Sequence, residues 1–269
     1  MIDPLGDVRF LWPYVVVFVA SFLVGSIPFG LVLTRLAGLG DIRRIGSGNI
    51  GATNVLRTGR KGLAALTLLL DAAKGAAPVL VAETFMSRDP AILAAAGAFL
   101  GHLMPVWLIG SARQGKAAAA VQLLIVLGGL VLMLLTKGVL SLAGPLIAVA
   151  AAWRAWGGKG VATGLGVLLA LSPTLGLIAC LCWLAIAGIS RYSSLAALAA
   201  FVLSPIAAYG LAHHPIGGAY MSDPQLTEFT VFLAVLILFR HRDNIERLLR
   251  GEESRIGAKT PAPNHEEPP

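Results

Sequence analysis

The chain has 269 residues, of which 57% are hydrophobic and only 13% charged, and its mean hydropathy is +0.79. A soluble globular domain carries about 25% charged residues, so this composition excludes a water-soluble globular chain and points to an integral membrane protein. The formal net charge of +7 does not indicate a nucleic-acid partner, because the Lys and Arg residues lie in short segments between apolar runs.

A helix needs about 20 apolar residues to cross the hydrocarbon core. Such runs lie at 12–34, 63–82, 91–109, 117–135, 138–155, 161–187, 193–211 and 226–239. MIDPLGDVRF, ahead of the first run, lacks a basic n-region, so that run is expected to be a permanent span rather than a cleaved signal. The run 161–187 contains Ser172-Pro173. A residue before proline leaves the helical region and a proline favours a helix start, so the run divides into a short helix ending near Leu171 and another beginning at Pro173. The expectation is an all-α polytopic membrane helix bundle of nine segments. Cys180 and Cys182 point in different directions on a helix and suit neither a disulfide nor a metal ion; they read as packing residues. Nothing in the sequence calls for a cofactor.

Orientation follows from the connections. Arg35, Arg43, Arg44, Arg57, Arg60 and Lys61 crowd the first; Arg113 and Lys116, Arg154 and Lys159, and Arg191 lie in later ones, and Arg240, Arg242, Arg247 and Arg250 follow the last span. Ala212 to Glu228 has no Lys or Arg. The basic connections are expected to face the cytoplasm, with the N-terminus outside, the C-terminus inside and Lys137 as the exception in an outside turn. The tail from Gly251 to Pro269, charged and proline-rich, is expected to be disordered.

Three polar islands stand out. Gly46 to Gly62, GSGNIGATNVLRTGRKG, sets glycines beside Ser47, Asn49, Thr53 and Asn54, which can hydrogen-bond phosphate oxygens, and Arg57, whose planar fork matches two of them. Taken alone, it is also compatible with an ordinary cytoplasmic loop. Gly157 to Gly166, GGKGVATGLG, opens a span, so backbone amides and Lys159 would offer positive charge to an anion; it lacks the GxxxxGK[ST] spacing of a nucleotide P-loop. FRHRDNIERLLRGEESRIG ends the last span and places His241, Asn244 and Arg247 at helical spacing. Two weaker features are Asp71 and Lys74, an ionisable pair inside a span that faces a wet cavity or forms a structural ion pair, and Arg191, Ser193 and Ser194 at a cytoplasmic entrance.

In this order, GSGNIGATNVLRTGRKG, LDAAKG, GHLMPVW, GGKGVATGLGVLLALSP, RYSSLAAL and HRDNIERLLRGEE resemble the bacterial membrane-bound acyl-phosphate:glycerol-3-phosphate acyltransferase family. The resemblance covers Val15 to Gly110 and Gly157 to Gly257. It implies a seven-helix core in the bacterial cytoplasmic membrane and transfer of a fatty acyl group from acyl phosphate to the 1-hydroxyl of sn-glycerol 3-phosphate, without a cofactor or a covalent acyl-enzyme, in keeping with the absence of a GxSxG elbow. Residue by residue, it implies that Ser47 and Arg57 act at the catalytic centre, supported by Gly48, Asn49, Thr53 and Asn54. Lys159 with Gly157, Gly158 and Gly160 would hold a substrate phosphate, Ser194 would line the site, and His241 and Asn244 would close it. Asp71 and Lys74 of LDAAKG count among the binding residues.

The chain departs from the family at two places. Ile50 stands where the family usually has proline, and Ser111 to Trp156 separates two motifs that are nearly contiguous in the family. The insert reads as a hairpin of two spans, which returns GGKGVAT to the cytoplasmic side, and its RQGKAAAAVQLL faintly echoes WGGKGVATGLG. Two other readings of the chain are a transporter or channel for a phosphorylated solute and a scaffold whose basic loops bind anionic lipid.

Overall fold

A computed structural model describes residues 12–111, 115–117, 120, 121, 124, 156–213 and 224–258. Every regular element among them is helical. The helices are α1 (Trp12–Gly25), α2 (Phe29–Leu36), α3 (Ala52–Leu56), α4 (Lys61–Phe85), α5 (Arg88–Leu103), α6 (Val161–Leu171), α7 (Pro173–Ser190), α8 (Ser193–His213), α9 (Pro224–Arg240) and α10 (Arg242–Leu249). Trp12–Leu36, Lys61–Phe85, Arg88–Gly110, Pro173–Ser190 and Ser193–His213 are long and apolar enough to cross a bilayer. With the short α6 and the 17-residue α9, the described segments are compatible with a seven-helix core. The expected spans at 117–135 and 138–155, and Lys137, lie outside the described residues.

The break at Ser172-Pro173 falls where the sequence puts it: α6 ends at Leu171, and Ser172 caps α7 by accepting from the Leu175 amide at 3.3 Å. Two other interruptions were not expected. The first span is not continuous, because Pro28 has no N–H to carry the ladder from α1 into α2 and the Ser26 hydroxyl turns back onto the Phe22 carbonyl at 2.7 Å. The third span leaves α5 at Leu103, and after Pro105 it continues as a 3-10 turn, Val106–Ser111.

Helices in lipid gain little from apolar burial and pack tightly where small residues let backbones approach. A Cβ on Gly97 would lie 2.6 Å from the Phe18 carbonyl oxygen and one on Gly101 2.1 Å from that of Phe22, so α1 presses directly on α5. Gly75 against Thr163 and Gly166 against Ala72 join α4 to α6 in the same way. Phe18, Phe99, Leu168, Leu175, Phe201, Leu233 and Ile237 form the main core. A smaller cluster of Leu31, Ile42, Ile50, Val55, Ala64 and Leu108 seats the first island beneath α2. Ile50 is thus an apolar anchor of that loop, buried to 4% exposure. Cys180 and Cys182 are free thiols on α7.

The expected disorder of Gly251 to Pro269 needs correction over its first part. Residues 251–258 run back as a strap: the Ile256 amide donates to the Arg191 carbonyl at 2.7 Å, and Arg191 Nη2 donates to the Ile256 carbonyl at 3.2 Å. Residues 259–269 lie outside the described part.

Candidate active site

The first island is held together by one side chain. Asn54 is 2% exposed; its Nδ2 donates to the carbonyls of Ile42, Ile45 and Asn49 at 3.0, 2.9 and 2.8 Å. Its Oδ1 accepts from the Ser47 amide at 3.1 Å, the Ser47 hydroxyl at 3.4 Å and Arg57 Nη1 at 3.3 Å. The amide that the sequence offered to phosphate is therefore spent on the loop, and its effect is to aim Ser47 and Arg57. Gly46 makes the tight turn feasible: at φ +56° it sits where a Cβ would lie 2.5 Å from Asn54 Oδ1, a conformation and a gap that suit glycine. Asn49 and Gly48 complete the turn, and Thr53 Oγ1 lies 3.1 Å from Ser193 Oγ.

The second island is recessed into the bundle. The amides of Gly157 and Gly158 donate to the carbonyls of Leu103 and His102 at 2.8 and 3.2 Å, at the end of α5. These two N–H groups, which the sequence assigned to an anion, thus anchor the loop. Gly160, at φ +82°, leads into α6. Lys159 reaches out of the recess and donates from Nζ to Asn244 Oδ1.

Asn244, on α10, links this lysine to the strap: its Nδ2 donates to Glu253 Oε1 at 2.7 Å. The same oxygen accepts from Ser194 Oγ at 2.8 Å, and Oε2 accepts from Arg247 Nε at 2.8 Å. Arg57 Nη2 donates to Ser254 Oγ next door. The three islands and the Ser193-Ser194 entrance therefore meet, joined through a segment the sequence gave no role. Glu253 was overlooked because its surroundings read as a solvated tail; the signal available was the GEE that closes the sixth motif.

The electrostatics suit an anion. Burial lowers the Lys159 pKa to about 8, with Glu253 opposing and Arg247 and Arg240 adding to the fall. Burial also lowers that of Arg57, which Glu253 partly offsets; a guanidinium remains charged throughout the working range. Burial would raise the Glu253 carboxyl, but hydrogen bonds from Asn244, Ser194 and Arg247 outweigh it and hold the group below its ordinary value. His241, 2% exposed, is pushed down to about 4 by burial and then by the Lys159 charge, so its ring is neutral at pH 7. Its Nδ1 lies 2.8 Å from the Ile237 carbonyl. A carbonyl only accepts, so Nδ1 carries the hydrogen and Nε2 keeps a lone pair.

Asp71 and Lys74 do not join this cluster. They are 2% and 4% exposed, with Lys74 Nζ 2.7 Å from Asp71 Oδ1 and donating to the Ile27 carbonyl at 2.6 Å, in the break between α1 and α2. His102 Nδ1 lies 3.9 Å from the same carboxylate oxygen and 3.0 Å from Thr163 Oγ1. The pair is sealed within the bundle beneath the glycine loop, and the structure does not bring these two expected substrate-binding residues to the cluster. No group of three or more His, Cys, Asp or Glu side chains suited to a metal ion occurs among the described residues.

Against known proteins, the family model described as Glycerol-3-phosphate acyltransferase matches residues 15–143 and 114–251. The two matches share residues 114–143, the stretch that carries the second Gly-Lys pair, Gly115-Lys116. A glycerol-3-phosphate acyltransferase of Mesorhizobium japonicum is 47% identical over 241 residues, 90% of this chain and 95% of its own. One of Caulobacter vibrioides is 46% identical over 253 residues, 93% of this chain and 90% of its own. Crystal structures of PlsY (YgiH), an integral membrane glycerol 3-phosphate acyltransferase, superpose with TM-scores of 0.66 for the glycerol 3-phosphate form and 0.64 for the lysophosphatidic acid form. They are 31% and 30% identical, and both alignments cover 91% of this chain and 96% of that one.

Proposed function

This chain belongs to the glycerol-3-phosphate acyltransferase family, and from that premise we propose that it transfers a fatty acyl group from acyl phosphate to the 1-hydroxyl of sn-glycerol 3-phosphate, releasing lysophosphatidate and inorganic phosphate. The observation that carries this reading is the hydrogen-bonded chain Lys159, Asn244, Glu253, Ser194, with Arg57 tied to it through Ser254. It gathers Arg57, Lys159 and Arg247 at one end of an apolar bundle. Two anionic substrates need such cations, and an acyl chain needs the adjoining lipid.

In this reading Lys159 and Arg57 hold phosphate oxygens, Ser47 donates a further hydrogen bond, and neutral His241 accepts from a glycerol hydroxyl through Nε2. The 1-hydroxyl oxygen attacks the acyl carbonyl carbon. The bond from that carbon to the phosphate oxygen breaks, and the departing phosphate takes the hydroxyl proton. Charge developing on the carbonyl oxygen is met by Arg57 and Lys159, so positioning and electrostatic stabilisation supply the rate. Asn54, Asn49 and Gly48 shape the loop that presents Ser47. The basic connections face the cytoplasm of a bacterial inner membrane, with the N-terminus outside and the C-terminus inside.

The decisive assay is phosphate release from acyl phosphate by the purified chain in detergent, with and without glycerol 3-phosphate. Release that requires both the protein and the acceptor supports the proposal. A chain that consumes neither compound, yet moves a phosphorylated solute across vesicles, belongs to the transporter reading. A reporter fused after Pro269 that signals from the periplasm would overturn the orientation.

A further inference from the structure

We propose that Arg240 is a positioning residue for this transfer: by holding the carbonyls of Gly157 and Gly158, its guanidinium fixes where Lys159 meets a substrate phosphate. The inference rests on the function proposed above and concerns a side chain that reaches the glycine loop without belonging to it. Arg240 ends α9, and its Nη2 lies 3.2 Å from the Gly157 oxygen and 3.3 Å from the Gly158 oxygen.

A glycine loop has no side chains with which to lodge itself, and here it has no room for any. A Cβ on Gly157 would lie 2.3 Å from the His102 carbonyl oxygen, and one on Gly158 2.1 Å from His102 Nε2. The position of the loop is therefore set through its peptide groups. On one side their N–H groups donate to the end of α5; on the other their oxygens accept from Arg240. The arrangement also removes an electrostatic obstacle. Two carbonyl oxygens beside Lys159 would present negative ends to an approaching phosphate, and one charged guanidinium nitrogen, Nη2, meets both at once.

The same short stretch of chain then contacts Lys159 itself, since Arg240 is followed by His241 and, on α10, by Asn244, which accepts from Lys159 Nζ. Loop and lysine are thus referenced to one corner of the molecule. The charged and titratable groups around Lys159 are Arg240 and His241 at the end of α9, Asp243 and Arg247 on α10, and Glu253 on the strap, with His102 of α5 beneath Gly158.

The test uses the full chain in detergent with Arg240→Lys, Arg240→Gln and, as a control on a neighbouring exposed arginine, Arg242→Gln. The readouts are kcat, KM for glycerol 3-phosphate, the alkaline limb of the pH profile, and the pH dependence of Lys159 labelling by an amine-reactive reagent, followed on its peptide by mass spectrometry. Arg240→Lys keeps the charge but not the reach and planar shape of the guanidinium; a displacement near 1 Å is expected to cost about 100-fold in kcat/KM, with the alkaline limb unmoved. Arg240→Gln is expected to lose as much and also to shift both the limb and the labelling curve to higher pH, because Lys159 keeps its proton longer once a neighbouring positive charge is gone. Arg242→Gln should match the parent chain. An Arg240→Lys variant indistinguishable from the parent overturns the proposal. So does an Arg240→Gln variant whose loss tracks a lowered melting temperature while limb and labelling stay in place. A parent chain that turns nothing over refutes the proposed reaction instead, and the labelling curve still reports on the clamp.

Discussion

Lys74 and Lys159 lie to either side of His102, whose Nδ1 edge faces Asp71 and Thr163 and whose Nε2 edge faces Gly158. Each lysine has a carboxylate and a histidine within electrostatic reach. Their fates differ through who touches whom. Lys74 meets its carboxylate directly at 2.7 Å and a backbone carbonyl besides, and almost no water. Lys159 meets a neutral amide, and Glu253, the carboxylate within its reach, is already held by Asn244, Ser194 and Arg247. A cation that touches a full negative charge is satisfied. One separated from it by an amide still attracts an incoming anion, and on the function proposed above that separation makes one lysine structural and the other a binding group.

The sharpest way to break this contrast is to remove one partner of the sealed pair. Asp71→Ala leaves Lys74 without its counter-charge, and about 3–5 kcal/mol of stability should go, seen as a large fall in thermal unfolding temperature in detergent. Should the variant unfold like the parent yet lose kcat, the pair belongs to the site after all. Next in size, Lys159→Ala and Arg57→Ala are each expected to lower kcat by about 10²–10³-fold with the unfolding temperature kept. Lys159→Arg should fail too, since the recess fixes a position as well as a charge.

Acidity offers a gentler probe. Lys159 is protonated below its pKa of about 8 and loses its charge as pH rises through it, so acyl transfer should decline above pH 8, by about tenfold per pH unit once well past the inflection. His241, at about 4, stays neutral from pH 5 upward and should add no inflection there; an acidic limb near pH 6.5 that vanishes in His241→Gln would contradict its burial. The smallest effect belongs to Ser193→Ala, which removes the hydroxyl contact to Thr53. It should cost about 0.5–1.5 kcal/mol of stability at most, with turnover little changed in the same phosphate-release assay.

Much of the fold was readable because its signals are local. Ser172-Pro173 combines a cap with a proline at a helix start, so the short α6 follows from two adjacent residues. Pro28 and Pro105 interrupt runs whose hydropathy never falls, and hydropathy was the guide there. The site was readable as a set of islands but not as a network. Asn54 offers the same amide to phosphate or to a backbone carbonyl, and only the folded loop decides that Ile42, Ile45 and Asn49 receive it. Glu253 lies in a stretch as polar as any disordered end; its order comes from Ser194, Asn244 and Arg247, residues distant from it or on the preceding helix. Composition carries no trace of such pairings.

The strap also dictates when the three islands can first be joined. Ser254 meets Arg57 across 197 positions of sequence, and Thr53 meets Ser193 across 140, so these two contacts of the first polar loop wait for residues made much later. A nascent chain threaded into the membrane up to α9 would contain Arg57 with Asn54 and Lys159 with Arg240, but would lack Asn244, Glu253 and Ser254, which join them. The hydrogen-bonded network between the three islands therefore closes only after α10 and the strap have followed α9 into place.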